Sequence, residues 1–159
     1  MKQIVISILI LTSCFIKAQD HAISIGLDPA VSIYGGHINV KGLDFITKYT
    51  YRSNDHGWSN DEVGLFYERF EKINYENYGV FFNKIVFPKI KNTEFTFGIE
   101  ASVIHREDYF WSYGFNSEFR YDLNDNFRIG IQGNLKRRTD IGIFRYSNFL
   151  LIAYKYGSR

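Results

Sequence analysis

Between Glu94 and Ile104 the odd positions are Phe95, Phe97, Ile99, Ala101 and Val103, while the even ones are Thr96, Gly98, Glu100 and Ser102. A period of two puts successive side chains on opposite faces, so this run predicts a strand with one apolar face and one polar or small face. Tyr109 to Tyr121 repeats the pattern, with Tyr109, Trp111, Tyr113, Phe115, Phe119 and Tyr121 against Ser112, Gly114, Asn116, Glu118 and Arg120. Asn126 to Lys136 does so again, setting Phe127, Ile129, Ile131 and Leu135 opposite Arg128, Gly130, Gln132, Asn134 and Lys136. In the last run, Tyr146 to Tyr156, one face carries Leu150, Ile152, Tyr154 and Tyr156, and Leu151 and Ala153 make the other face less polar than before.

The first half alternates less cleanly. Strands are expected at about 21–34, 37–51, 62–71 and 77–88, where Val63, Leu65, Tyr67, Tyr78, Val80 and Phe82 form one face. Phe66, Phe70, Phe81, Ile85 and Phe87 leave the opposite face substantially apolar too. Breaks at Gly35-Gly36, Ser53 to Asp61, Glu71 to Asn77, Lys89 to Asn92, His105 to Asp108, Leu123 to Asp125 and Arg137 to Gly142 divide the chain into eight strands. Pro29 lacks an N–H and marks an edge, bulge or lead-in segment of the first strand, and Pro88 is expected to end the fourth. No helical period, internal repeat or low-complexity segment is apparent.

The N-terminus follows a different rule. Met1-Lys2-Gln3 is a short positive start, Ile4 to Leu11 an apolar core, and Phe15-Ile16-Lys17-Ala18 a cleavage end before polar Gln19-Asp20-His21. Residues 1–18 therefore read as a secretory signal peptide, leaving 19–159 as one domain. A second cut is open, because Leu11-Thr12-Ser13-Cys14 resembles a lipobox in which Cys14 becomes acylated. The Ala18 cut is the simpler one, since the chain that follows needs no lipid anchor.

Composition narrows the classes. Aromatics at 18% and hydrophobics at 45% of 159 residues exclude a disordered chain, and one Cys excludes both a disulfide framework and a cysteine-based metal site. No apolar run approaches the roughly 20 residues of a spanning helix, so any membrane span must be built from strands. Removing Lys2 and Lys17 with the leader takes the 19 basic residues to 17, equal to the 17 acidic ones, which gives no ground for a nucleic-acid partner.

In a soluble sandwich or lipocalin-like barrel the apolar face would turn inward around a small apolar ligand; in a membrane barrel it meets lipid and the polar face fills the interior. Glu100, Glu118, Arg120, Arg128 and Lys136 lie at mid-strand on the polar face, where they can pair as an interior ion network. With Leu123-Asn124-Asp125 as a three-residue turn, Arg120 faces Arg128 and Glu118 lies diagonal to Arg128. Aromatics gather at strand ends, Tyr109, Phe110, Trp111 and Tyr113 at one and Phe119 and Tyr121 at the other, as in interfacial girdles.

The leader, the eight alternating strands, the turn in Tyr121 to Phe127 and the aromatic last strand together resemble the small eight-stranded outer-membrane β-barrels of Gram-negative bacteria. The resemblance covers the whole mature chain and implies an all-β, antiparallel up-and-down membrane barrel with both termini periplasmic. Leu123–Asp125, Lys89–Asn92 and the long 53–61 connection would then be periplasmic, and His105–Asp108 and Lys136–Asp140 outward. Tyr154-x-Tyr156 is similar to the terminal aromatic signal that barrel assembly machinery reads, although Gly157-Ser158-Arg159 extends past it.

An eight-stranded barrel has room only for its own side chains, which argues against a general pore. Metalloprotease, phosphate-loop and nucleophile-elbow motifs are missing, and no cofactor is expected. His21, His37, His56 and His105 fall at strand ends or in loops, where solvated histidines are the simpler reading. Arg145-Tyr146-Ser147-Asn148 resembles the His-x-Ser-Asn segment of outer-membrane lipid A deacylases, but Arg145 occupies the His position, and a guanidinium cannot take up the Ser147 proton. The basic run Lys136-Arg137-Arg138, placed in an outward loop, is a candidate contact for lipopolysaccharide phosphates. The Ser53–Asp61 segment, with Trp58, is a candidate partner-binding loop. The expected function is a non-catalytic outer-membrane barrel with a structural or surface-loop role.

Overall fold

A computed structural model of the chain describes residues 19–30, 42–53, 61–90 and 92–157. The expected leader, the Gly35-Gly36 break and residues 54–60 of the long polar connection lie outside them. Eight strands are present among the described residues: β1 (Gln19–Leu27), β2 (Asp44–Ser53), β3 (Asp61–Phe70), β4 (Tyr75–Ile90), β5 (Thr93–His105), β6 (Tyr109–Asp122), β7 (Phe127–Arg138) and β8 (Ile143–Tyr156). Each is antiparallel to the next, and β8 returns to β1, running from His21↔Tyr156 to Leu27↔Leu150. The sheet is a closed up-and-down barrel, which leaves no open edge along that seam.

The strict alternation of β5–β7 places its apolar positions outside and its polar positions inside. Ile25, Leu65, Ile99 and Ile152 are each more than half exposed, whereas Lys48, Glu62, Glu118, Arg120 and Lys136 are each at most 3% exposed. This arrangement inverts that of a water-soluble barrel. A continuous apolar exterior of this extent is stable against hydrocarbon and a liability in water. The soluble alternative needs the opposite facing and is corrected here.

Several boundaries differ from the sequence expectation, each for a local reason. Strand β1 ends at Leu27, where Asp28 Oδ1 accepts the Ala30 N–H at 2.9 Å, and the part of the expected 21–34 strand beyond residue 30 lies outside the described residues. Pro29 sits just past the strand, where a fixed φ and a missing N–H are harmless. Strand β2 begins only at Asp44, and Gly42 and Leu43 precede it outside the ladder. Strand β4 starts at Tyr75 and continues through Pro88 to Ile90. Its register to β5 slips between Ile85 and Phe87 and again between Phe87 and Ile90, so Pro88 falls where the regular ladder is interrupted. Between β3 and β4 lies a single 3-10 turn, Glu71–Ile73, closed by Asn74 in the left-handed region at φ 47°.

The β6–β7 connection holds four residues, not three. Asn124 Oδ1 accepts the N–H groups of Asn126 at 2.9 Å and Phe127 at 2.8 Å, an Asx turn that fixes the register. Arg128 consequently faces Asp122, and Arg120 faces Gly130. The expected opposition of Arg120 to Arg128 is corrected by a shift of the pairing, and Glu118 faces Gln132 rather than standing diagonal to Arg128.

Candidate functional site

The interior is filled in layers. At the end where the termini lie, a cavity of about 570 Å³ is lined by charged residues from nearly every strand. Arg120 Nη1 lies 2.7 Å from Glu62 and 3.4 Å from Glu94, and its Nε lies 2.9 Å from Glu118. Arg52 bridges the same acids, at 2.5 Å to Glu62 and 2.7 Å to Glu94. Arg128 reaches Asp122 at 2.7 Å and Glu94 at 3.4 Å, and Lys155 closes on Asp122 at 3.0 Å. Burying these ions is costly singly; shared partners offset the desolvation.

Above this network two lysines cross the lumen. Lys48 Nζ donates to Glu118 at 2.7 Å and to the Gln132 carbonyl at 2.6 Å. Lys136 Nζ donates to Glu68 at 2.6 Å and stands 3.2 Å from Glu100. Each ammonium also lies 4.7 Å from a phenyl centroid, Lys48 over Phe81 and Lys136 over Phe66. These rings pack with Ile46, Phe149 and Leu151 into an apolar plug inside the barrel.

The rings fit because glycines face them. Gly64 pairs with Phe81 and Gly79 with Phe66, and a Cβ at Gly64 would strike the Phe81 ring and the Tyr49 carbonyl, while one at Gly79 would strike the Phe66 ring. At the loop end Phe70, Tyr75 and Ile104 form a second buried cluster, packed against Ile73 and Phe110. The Arg138 guanidinium lies 4.3 Å from the Tyr75 centroid and binds Asp140 through both carboxylate oxygens, at 2.5 and 3.1 Å. Arg106 reaches the same carboxylate at 3.5 Å, tying the β5–β6 loop to the β7–β8 loop. Partial burial pushes the Asp140 carboxyl up, but the hydrogen bonds and charge of Arg138, with Arg106 beside it, hold it below the usual carboxylate range.

The five residues read as an interior network, Glu100, Glu118, Arg120, Arg128 and Lys136, are all buried and all ion-paired in the lumen. Most of their partners come from strands that alternate less cleanly: Lys48, Glu62 and Glu68, with Glu94 at the start of β5, and Arg52 joins them through Glu62 and Glu94. Even positions 44, 46, 48, 50 and 52 of β2 carry Asp, Ile, Lys, Thr and Arg, and that charged parity is the signal that finds Lys48 and Arg52.

The basic run 136–138 is split by the same parity. Lys136 and Arg138 are buried inside, so their placement in an outward loop is corrected. Arg137 alone points outward, 5.4 Å from the Phe144 ring centroid. Ser147 is buried on the inner face opposite Asn134, away from the exterior where a lipid substrate would lie. Of the two histidines among the described residues, His21 pairs with Tyr51 and Tyr156 and is hydrogen-bonded to the Tyr49 hydroxyl at 2.8 Å, and His105 stands 3.7 Å from Glu76, whereas Ser147 pairs with Asn134.

Strand number, closure, antiparallel order and inverted polarity define the small eight-stranded outer-membrane β-barrel, and the chain has that fold. The Yersinia pestis outer membrane protein Ail, solved in a phospholipid bilayer nanodisc, is similar with a TM-score of 0.55 and 16% identity, over 86% of this chain and 99% of that one. Neisserial surface protein A is similar with a TM-score of 0.49 and 12% identity, over 87% of this chain and 94% of that one. No protein-family model matches the sequence, and no curated protein matches it.

Proposed function

We propose that the protein is a non-catalytic outer-membrane barrel, exported through the 1–18 leader, whose contacts with other molecules are made by its exterior and its loops. The observation that carries this reading is the inverted polarity of the closed sheet, ions inside and isoleucine, leucine and aromatic side chains outside. The plug of Phe66, Phe81, Phe149, Ile46 and Leu151, crossed by the Lys48 and Lys136 pairs, supports a non-pore role. Membrane lipid and lipopolysaccharide are the proposed partners, with Arg137 as the member of the basic run that can meet a phosphate, and barrel assembly machinery would insert the chain.

The test is fractionation combined with gel mobility. The protein is expected in the outer-membrane fraction, migrating differently before and after boiling in detergent because a closed barrel resists unfolding until heated. Recovery in a soluble fraction, or one mobility under both conditions, overturns the reading. Fatty-acid labelling lost in Cys14→Ser would move the leader cut from Ala18 to the lipobox. Lipid A mass spectra are expected to be unchanged on overexpression.

A further inference from the structure

The outer face of β6, β7 and β8 carries one polar row between two apolar ones. Phe115, Leu135 and Tyr146 form the row nearer the loops, and Phe119, Ile131 and Leu150 the row nearer the termini, each side chain between 44% and 63% exposed. Between them the register sets Ser117 beside Gly133 and Gly133 beside Asn148. Gly133 stands at the middle of β7, so the row meets hydrocarbon near mid-depth. A Cβ on Gly133 would lie 3.2 Å from the Tyr146 hydroxyl and 3.6 Å from Asn148 Oδ1, so the glycine leaves a shallow site rimmed by two polar groups.

Hydrocarbon holds no water, so a carboxamide turned toward it needs a hydrogen-bond partner from protein. The Asn148 backbone N–H goes to Asp28 at 3.4 Å, but the Asn148 carboxamide and the Ser117 hydroxyl have no partner among the described residues. An acyl chain has neither donor nor acceptor to give them. A second copy of the chain has both, at the right depth: barrels inserted in one direction pair about an axis along the membrane normal, which brings identical residues together at one level. A carboxamide donates and accepts, so two Asn148 side chains can bond reciprocally, and the small Ser117 and Gly133 let the walls approach. Toward the termini the face continues as an apolar groove of about 630 Å³ lined by Phe119, Ile129, Ile131, Leu150, Ile152 and Leu27, which can take the partner's outward side chains.

We propose that the β6–β8 face is a self-association surface, on which two copies of the barrel meet in the membrane through reciprocal Asn148 carboxamides beside Gly133. The proposal rests on the membrane-spanning reading above. Its test is energy transfer between donor-labelled and acceptor-labelled copies of the full barrel in phosphatidylcholine vesicles, with the protein diluted stepwise by lipid. Transfer is expected to exceed that of randomly placed barrels and to saturate at a dimer. Asn148→Leu removes two amide bonds per dimer and should weaken association about tenfold. Thr47→Leu, outward on β2 away from this face, should leave it unchanged. Oxidation should cross-link copies carrying Leu150→Cys and not those carrying Val63→Cys, outward on β3. Transfer at the random level at every dilution, association undiminished in Asn148→Leu, or cross-linking through Val63→Cys in place of Leu150→Cys overturns the proposal. The boiled and unboiled mobilities of each variant report folding independently; a wild-type chain that fails to insert into the vesicles overturns the membrane reading along with the surface.

Discussion

Strands β5–β7 send small and charged side chains into the barrel, Thr96, Gly98, Glu100, Asn116, Glu118, Arg120, Gln132, Asn134 and Lys136. Strands β2–β4 send in Ile46, Phe66, Phe70, Phe81 and Ile85 alongside Lys48, Glu62 and Glu68. One wall supplies hydrogen-bonding groups and the other supplies volume. Neither composition fills an eight-stranded interior alone: a wholly charged one leaves ions underpaired, and a wholly aromatic one overpacks. Lys136 of the polar wall lies over Phe66 of the other, while Lys48 lies over Phe81 within β2–β4 and reaches across to Glu118 and Gln132. The lesson is that the polar wall depends on partners from the apolar one.

The most severe way to break this arrangement is on the charged side. Arg120→Met removes the cation shared by Glu62, Glu94 and Glu118 and leaves buried carboxylates underpaired, an expected loss of about 3–5 kcal/mol. It is checked by urea titration of the folded, fast-migrating form. On the apolar side Phe81→Ala should cost about 3 kcal/mol or slightly more, because it leaves a cavity and uncovers Lys48.

Gly64→Ala tests the fit between them, at about 1–3 kcal/mol, since its methyl would meet the Phe81 ring and the Tyr49 carbonyl. Combining Gly64→Ala with Phe81→Ala should cost less than the sum of the single changes; strict additivity would show that the ring and the glycine are not coupled.

The pH response belongs to the loop end. A depressed folded-state carboxyl contributes stability that is present above its unfolded pKa and lost as pH falls through the folded one. Asp140 therefore predicts loosening of the β5–β6 and β7–β8 loops at acid pH, read as proteolysis at the loop end. Asp140→Asn should loosen them at neutral pH and remove that pH dependence. Arg137→Gln, on the exterior beside Phe144, should shift stability by no more than about 0.5 kcal/mol.

Legibility in the chain follows the two walls. β5, β6 and β7 are read closely from alternation, because a polar interior and an apolar exterior differ at almost every step, whereas β8 also turns Phe149, Leu151 and Ala153 inward. In β3 and β4 the apolar side chains of Phe66, Phe70, Phe81 and Ile85 imitate outward positions, and only their parity with Glu62, Gly64, Gly79 and Asn83 tells them apart. Pro88 does not end β4, because a proline stops a regular strand but is tolerated at a bulge. The candidate network was half visible: Glu100, Glu118, Arg120, Arg128 and Lys136 could be named, but the carboxylates and lysine that complete it could not.

What the amino-acid sequence determines alone is local: a two-residue period, repeated eight times, dictates strands, their faces and the antiparallel order that short turns permit. Closure of β8 on β1, the four-residue turn that sets Arg128 against Asp122, and the pairing of Lys48 with Glu118 across 70 residues belong to the tertiary structure. The physical reason is range. Side-chain alternation is written within a few bonds, whereas register and ion pairing in a closed barrel are fixed only when every strand has taken its neighbour and the interior has been filled.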